Sequence, residues 1–155
     1  MLWYDGKAEE AARFYTSLFP DSHIDKVVTA PGDNPSSKAG EVLTVEFTIN
    51  GSPFVALNGG PEFKFTEAIS LAITCDDQAE IDRSWVKLVE DGGEHSVCGW
   101  LKDRYGVSWQ VTPKRLNDMI ESPNRDAARR AMEAMLEMTK LDIAQLTEAF
   151  EGVPA

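Results

Sequence analysis

Basic side chains are scarce in this chain: 15 Lys and Arg stand against 26 Asp and Glu in 155 residues, a formal net charge of −11. Nucleic-acid binding rests on clustered cations that displace counterions from phosphates, so this balance argues against a nucleic-acid partner. An anionic membrane surface is disfavoured for the same reason. No apolar run approaches the roughly 18 residues that a membrane helix requires, and no charged leader with an apolar core opens the chain. The expectation is a soluble cytoplasmic protein with no membrane partner. Cysteine is nearly absent as well. Cys75 and Cys98 have neither close spacing nor a secretory context, and they read as buried free thiols rather than as a disulfide or a nucleophile. Histidine is limited to His23 and His95, both read as surface residues.

What is present is a duplication, the feature to seek before local structure. Asp5-Gly6-Lys7-Ala8-Glu9 opens one amphipathic segment and Asp76-Asp77-Gln78-Ala79-Glu80 opens another, each after a β-like run. Ala12, Phe14, Tyr15, Leu18 and Phe19 recur at helical spacing after the first, and Ile81, Trp85, Leu88 and Val89 after the second. β-like runs follow each helix: Ile24 to Thr29, Val42 to Ile49 and Phe54 to Leu57, then Ser96 to Lys102 and Val107 to Thr112. Asn50-Gly51 is a strong hairpin turn and Asp103-Arg104-Tyr105-Gly106 a weaker one. The order is βαβββ twice, an α+β fold, and 43% apolar content can supply one compact core. The expected organisation is a duplicated domain over residues 1–113, with modules at about 1–60 and 68–113, followed by a helical extension of the same domain over 114–155.

One loop and one tail stand apart. The loop from Ala30 to Gly40, with Pro31-Gly32-Asp33-Asn34-Pro35-Ser36-Ser37, is too rich in turn residues for regular structure, and it is either a plain connection or the edge of a site. In the tail, Ser122-Pro123 reads as an N-cap with proline at the first helical position, and Thr139 with Asp142 resembles a second cap. Ala128, Ala131, Met132, Met135 and Leu136, continued by Leu146 and Phe150, form an apolar stripe read as packing, within the chain or against a partner subunit.

Alternation along the strands separates two faces. Leu43, Val45, Phe47 and Ile49 oppose Val42, Thr44, Glu46 and Thr48; Ile69, Leu71, Ile73 and Cys75 oppose Ser70, Ala72 and Thr74; Val107, Trp109 and Val111 oppose Ser108, Gln110 and Thr112. Each strand has one helix-packed face and one small, mostly polar face. Polar faces on curved sheets would line a wet cup.

Three segments carry a resemblance: Phe14-Tyr15-Thr16-Ser17-Leu18-Phe19-Pro20-Asp21-Ser22, Phe54-Val55-Ala56-Leu57-Asn58-Gly59-Gly60-Pro61, and Cys98 through Gln110 with Gly99-Trp100-Leu101-Lys102-Asp103-Arg104-Tyr105-Gly106 at its centre. The chain resembles the vicinal oxygen chelate superfamily of glyoxalase I, bleomycin-resistance proteins and extradiol dioxygenases. Within it the match is to the PhnB-like branch, often labelled 3-demethylubiquinone-9 3-methyltransferase domains, and it extends from about Leu2 through Gly152. The resemblance implies two βαβββ modules forming a cup-shaped mixed sheet, generally completed in a homodimer.

The resemblance also implies a metal site built from the first and last strands of each module. Carried over, its positions fall on Ser70, Ala56 and Gln110, with a fourth before Met1. None of the three is a good ligand for a divalent ion, which favours imidazole nitrogen or carboxylate oxygen. Neither metal nor cofactor is therefore expected. The methyltransferase label meets a similar difficulty, because neither Gly59-Gly60 nor Gly92-Gly93 forms the strand-to-helix turn at which a typical methyl-donor domain holds its nucleotide.

Glu46 is the carboxylate that alternation puts on the cup face. It is either a catalytic general base suited to that role by burial or a solvent-reached lining residue. Trp100 reads as an aromatic wall or as a core or interface residue. Asn58, Ser70 and Gln110 donate and accept hydrogen bonds without charge, which suits them to orient a small molecule. The resulting expectation is a small-molecule-binding homodimer without the family metal. The alternatives are an enzyme of the same superfamily, whether metal-dependent lyase, dioxygenase or methyltransferase, and an interaction module acting through its acidic surface and Met-rich tail.

Overall fold

The computed structural model describes residues 1–153; the last two positions of the expected helical extension lie outside the described residues. Two compact units divide the chain, one over Met1–Phe65 and one from Thr66 onward.

The first unit runs β1 (Leu2–Tyr4), α1 (Ala8–Leu18), β2 (His23–Thr29), β3 (Val42–Ile49) and β4 (Ser52–Asn58), with strand order β1-β4-β3-β2. β1 lies parallel to β4, and the other pairs are antiparallel. Ala8, Ala11, Ala12 and Tyr15 are the buried residues of α1, spaced so that they fall on one stripe. That stripe meets Val45, Phe47 and Ile49, the buried side of β3, as alternation implies. Tyr15 stacks on Phe47 at 6.4 Å between centroids and Phe47 on Phe54 at 5.6 Å; such pairs add about 0.5–1.5 kcal/mol each beyond area burial. Asn50 and Gly51, with φ of 47° and 75°, make the expected two-residue hairpin turn, whose left-handed pair matches the twist of the strands. The Ala30–Gly40 loop contains no strand, yet Asn34 Oδ1 accepts hydrogen bonds from the Ser36 and Ser37 amides, each at 3.0 Å, and so folds it into a tight turn.

The second unit repeats the order: β5 (Leu71–Cys75), α2 (Gln78–Val89), β6 (Glu94–His95), β7 (Trp100–Lys102) and β8 (Ser108–Pro113), in the order β5-β8-β7-β6. Here α2 is capped by a reciprocal pair. Asp77 Oδ1 accepts from the Glu80 amide at 2.9 Å, and Glu80 Oε2 accepts from the Asp76 amide at 2.8 Å. The helix buries Ile81, Trp85 and Leu88. Two boundaries differ from the sequence reading. β5 begins at Leu71 rather than Ile69, leaving Ile69 69% exposed. The single run from Ser96 to Lys102 is broken, because Cys98 and Gly99 adopt left-handed φ of 57° and 80° and turn the chain before β7.

Three helices follow: α3 (Lys114–Ile120), α4 (Arg125–Glu137) and α5 (Ile143–Glu151). α3 is absent from the sequence reading, and the α4 cap is Asn124 rather than Ser122, with Asn124 Oδ1 accepting from the Ala127 amide at 3.2 Å. Asp142, without Thr139, caps α5 by accepting from the Gln145 amide at 3.0 Å. Leu116, Met119, Ala131, Leu141 and Leu146 form a core for these helices, against which Met135 and Phe150 pack. Met132 and Leu136 face outward at 48% and 52% exposure, so the predicted stripe is only partly internal packing.

Candidate functional site

Strand register assigns each candidate residue to a face. In the first unit Glu46 pairs with Lys26 on one side and Val55 on the other, on the face away from α1. It is exposed, so the burial that would suit it to general-base chemistry is not there. It borders an open groove with Asp25, Thr48 and Val55. Asn58 lies on the opposite face. It pairs with buried Tyr4 and is itself 8% exposed. Its Oδ1 accepts from the Ala8 amide at 2.8 Å and its Nδ2 donates to the Val42 carbonyl at 2.9 Å. The expectation that Asn58 shares a face with Glu46 is thus corrected by the register, and its amide closes the N-terminus of α1. Ala56 also faces the helix, since it pairs with Val45; the adjacent residues on the other face, Val55 and Leu57, carry no donor atom.

In the second unit the structure brings together the three remaining candidates. Trp100 pairs with Gln110 and Gln110 with Ala72, on the face away from α2. Gln110 Nε2 donates to Ser70 Oγ at 2.9 Å, linking β8 to the segment that enters β5. An amide, a hydroxyl and an indole therefore share one half-buried surface. It offers hydrogen bonding and stacking, and no carboxylate or imidazole stands among the three.

The same face carries residues that sequence reasoning did not single out. A cavity of about 130 Å³ is lined by Glu67, Glu94, His95, Trp100, Lys102 and Ser108, among others. Lys102 Nζ lies 2.5 Å from Glu67 Oε1. This hydrogen-bonded pair holds the Glu67 carboxyl below its ordinary range and raises the Lys102 ammonium. Lys102 and Ser108 stood inside the segment already recognised, and alternation had put Ser108 on the polar face. Glu67 carried no signal, because an ion pair between a connecting segment and a distant strand follows no local spacing.

Several other polar residues are engaged in holding the fold. Asp103 is 2% exposed; its Oδ1 accepts from the Tyr105 and Val107 amides at 2.8 and 3.0 Å and its Oδ2 from Trp109 Nε1 at 2.8 Å. His23 sits 3.0 Å from Asp25 and His95 stacks on Trp85, both exposed, as read. Cys75 is buried, and burial first, then the Glu80 charge, pushes its thiol up to about 11; Cys98 is half-buried, so the reading of two buried thiols holds fully only for Cys75. Among the described residues no group of three or more His, Cys, Asp or Glu is placed to hold a metal ion, and no helix is long and apolar enough to cross a membrane.

Comparisons with known proteins agree with the duplicated fold. The family described as 3-demethylubiquinone-9 3-methyltransferase matches residues 1–112, so α3 to α5 lie beyond the match. The PhnB protein from Bacillus cereus is 40% identical, with a TM-score of 0.65 over 72% of this chain and 95% of its own. Protein PA1353 from Pseudomonas aeruginosa shares the fold at 20% identity and a TM-score of 0.60, over 72% of this chain and 92% of its own. No curated protein matches the chain.

Proposed function

Because the chain belongs to the PhnB-like branch of the vicinal oxygen chelate superfamily, in the family described as 3-demethylubiquinone-9 3-methyltransferase, we propose that it binds a small organic molecule on the polar faces of its sheets, as a homodimer and without the family metal centre. The observation that carries this reading is the Ser70–Gln110 hydrogen bond beside Trp100, a neutral polar pair next to an aromatic wall. Binding sites are commonly apolar surfaces with a few convergent polar groups. The donor set supports the metal-free part: Ser70 and Gln110 engage each other, and Val55 and Leu57 have nothing to coordinate with.

The helix termini weigh against a nucleotide-borne methyl donor. The start of α1 is occupied by the Asn58 side chain, and that of α2 by Asp77, whose carboxylate would repel an anionic group of such a donor. The second reading is an enzyme of the superfamily, either a metal-dependent lyase or dioxygenase or the methyltransferase that the family description names, with Glu46 tested as its base.

Native mass spectrometry and organic extraction of the purified protein test the first reading. The expected result is a dimer carrying a small-molecule adduct that Gln110→Leu or Trp100→Ala weakens at least tenfold. Near-stoichiometric zinc, nickel, iron or manganese that survives gel filtration and is lost on Gln110→Ala would overturn it. Turnover abolished by Glu46→Gln at unchanged affinity would establish the second.

A further inference from the structure

Ser108 is 2% exposed, and among the described residues its Oγ has no hydrogen-bond partner. A buried hydroxyl without a partner is costly, because it leaves water and gains nothing in return. Yet its place is not an accident of packing. Ser108 pairs with Lys102 in the β7–β8 ladder, on the face away from α2, and it lines the cavity of about 130 Å³. The hydroxyl therefore points to an occupant that can share a hydrogen with it.

The surroundings specify the charge of that occupant. Glu67 and Glu94 set two carboxylates against one ammonium, that of Lys102, and the imidazole of His95, and Lys102 is already engaged with Glu67. Glu94 pairs with Lys102 across the β6–β7 ladder, so its carboxylate belongs to the same face as Trp100, two residues away on β7, and the two line one cavity. An anion would meet surplus negative charge here. A cation would meet a carboxylate and an aromatic ring, the two partners that organic ammonium groups favour. The volume is close to the roughly 150 Å³ known to admit a benzene-sized molecule.

We propose that this cavity is a site for a small organic amine, its ammonium held between Glu94 and the Trp100 ring and a polar hydrogen shared with Ser108 Oγ. The proposal rests on the small-molecule reading above and names its ligand class.

Ethanolamine, ethylene glycol and glycolate, titrated into the full chain, form a cationic, neutral and anionic series of one size. The Trp100 indole N–H resonance, assigned through Trp100→Phe, reports occupancy. Ethanolamine should bind at least tenfold more tightly than either companion. Glu94→Gln, at an exposed position, should erase that preference, and Ser108→Ala should weaken ethanolamine several-fold while the circular dichroism spectrum stays native. Equal binding of the three probes, or an unchanged ethanolamine affinity in both variants, overturns the amine assignment. A different molecule recovered by native mass spectrometry, with no response to ethanolamine, overturns it while the small-molecule reading stands; a bare chain with no response to any probe overturns both.

Discussion

The side chain of Asn58, at the end of β4, accepts a hydrogen bond from the Ala8 backbone amide at 2.8 Å and so supplies the cap that Lys7, at the helix start, does not. A helix leaves its first amides without internal partners, and here the sheet provides one of them. Its Nδ2 bond to the Val42 carbonyl ties the same side chain to the start of β3.

Asn58→Ala should therefore lower stability by about 1–3 kcal/mol, the cost of a lost cap plus a buried amide left unmet. Urea unfolding measures it. Asn58→Asp should cost less at the cap and more at Val42, because a carboxylate accepts from Ala8 but cannot donate. Loss of ligand affinity with stability unchanged would instead return Asn58 to a binding role.

Asp103 should be the more severe site. Its carboxylate satisfies two backbone amides of the 103–107 turn and the Trp109 indole in one buried place. Asp103→Ala strands several donors at once and is expected to cost about 3–5 kcal/mol. Asp103→Asn turns an amide NH2 toward one of those donors, so it should recover only part of the loss. A loss under 1 kcal/mol for Asp103→Ala would show that the turn is held by other means.

Much of this fold was legible because its signals are local. The α1 stripe, the alternation of Val45, Phe47 and Ile49, and Asn50-Gly51 each act within a few residues, and each holds. The face of Asn58 is itself legible in the hairpin. A two-residue turn pairs Ile49 with Ser52, so odd-numbered residues of β3 share a face with even-numbered residues of β4, and Glu46 must oppose Asn58. Other features were not accessible in that way. Glu67 with Lys102 and Asn58 with Ala8 join segments far apart in sequence, and the break at Cys98-Gly99 depends on what the tail helices require. In the binding face, alternation identified the polar side of β8, while the unmet Ser108 hydroxyl exists only once the strands are assembled.

Cys75 gives a pH prediction. Its thiol rises from an ordinary 9.0 to about 11, chiefly through burial. The folded state thus holds its proton more tightly than the unfolded chain, so this contribution is full below pH 9.0 and disappears as pH climbs to about 11. A two-unit shift corresponds to about 2–3 kcal/mol. Between those limits Cys75→Val should flatten the alkaline fall in stability, read as urea midpoints at several pH values. An unchanged alkaline slope would place the titrating group elsewhere.

The tail helices should be integral to the second unit, and Gly99 is where this can be measured. The Cys98 and Gly99 amides donate to the Met138 and Thr139 carbonyls at 2.7 and 2.8 Å, which seats the segment after α4 against the bend before β7. Leu141, fully buried, packs against the same glycine. A Cβ at position 99 would lie 2.8 Å from the Val111 carbonyl oxygen and 3.0 Å from Leu141 Cγ, with φ at +80° besides. Neither the β8 backbone nor a buried leucine can move aside cheaply, and the left-handed conformation adds about 1–2 kcal/mol for any side chain. Gly99→Ala is expected to cost about 2–4 kcal/mol in urea unfolding. Hydrogen exchange should then quicken at residues 138–141 as well as at the bend, because the two share their hydrogen bonds. Faster exchange confined to the bend, or a loss below about 0.5 kcal/mol, would mean that the helices fold and dock independently of this contact.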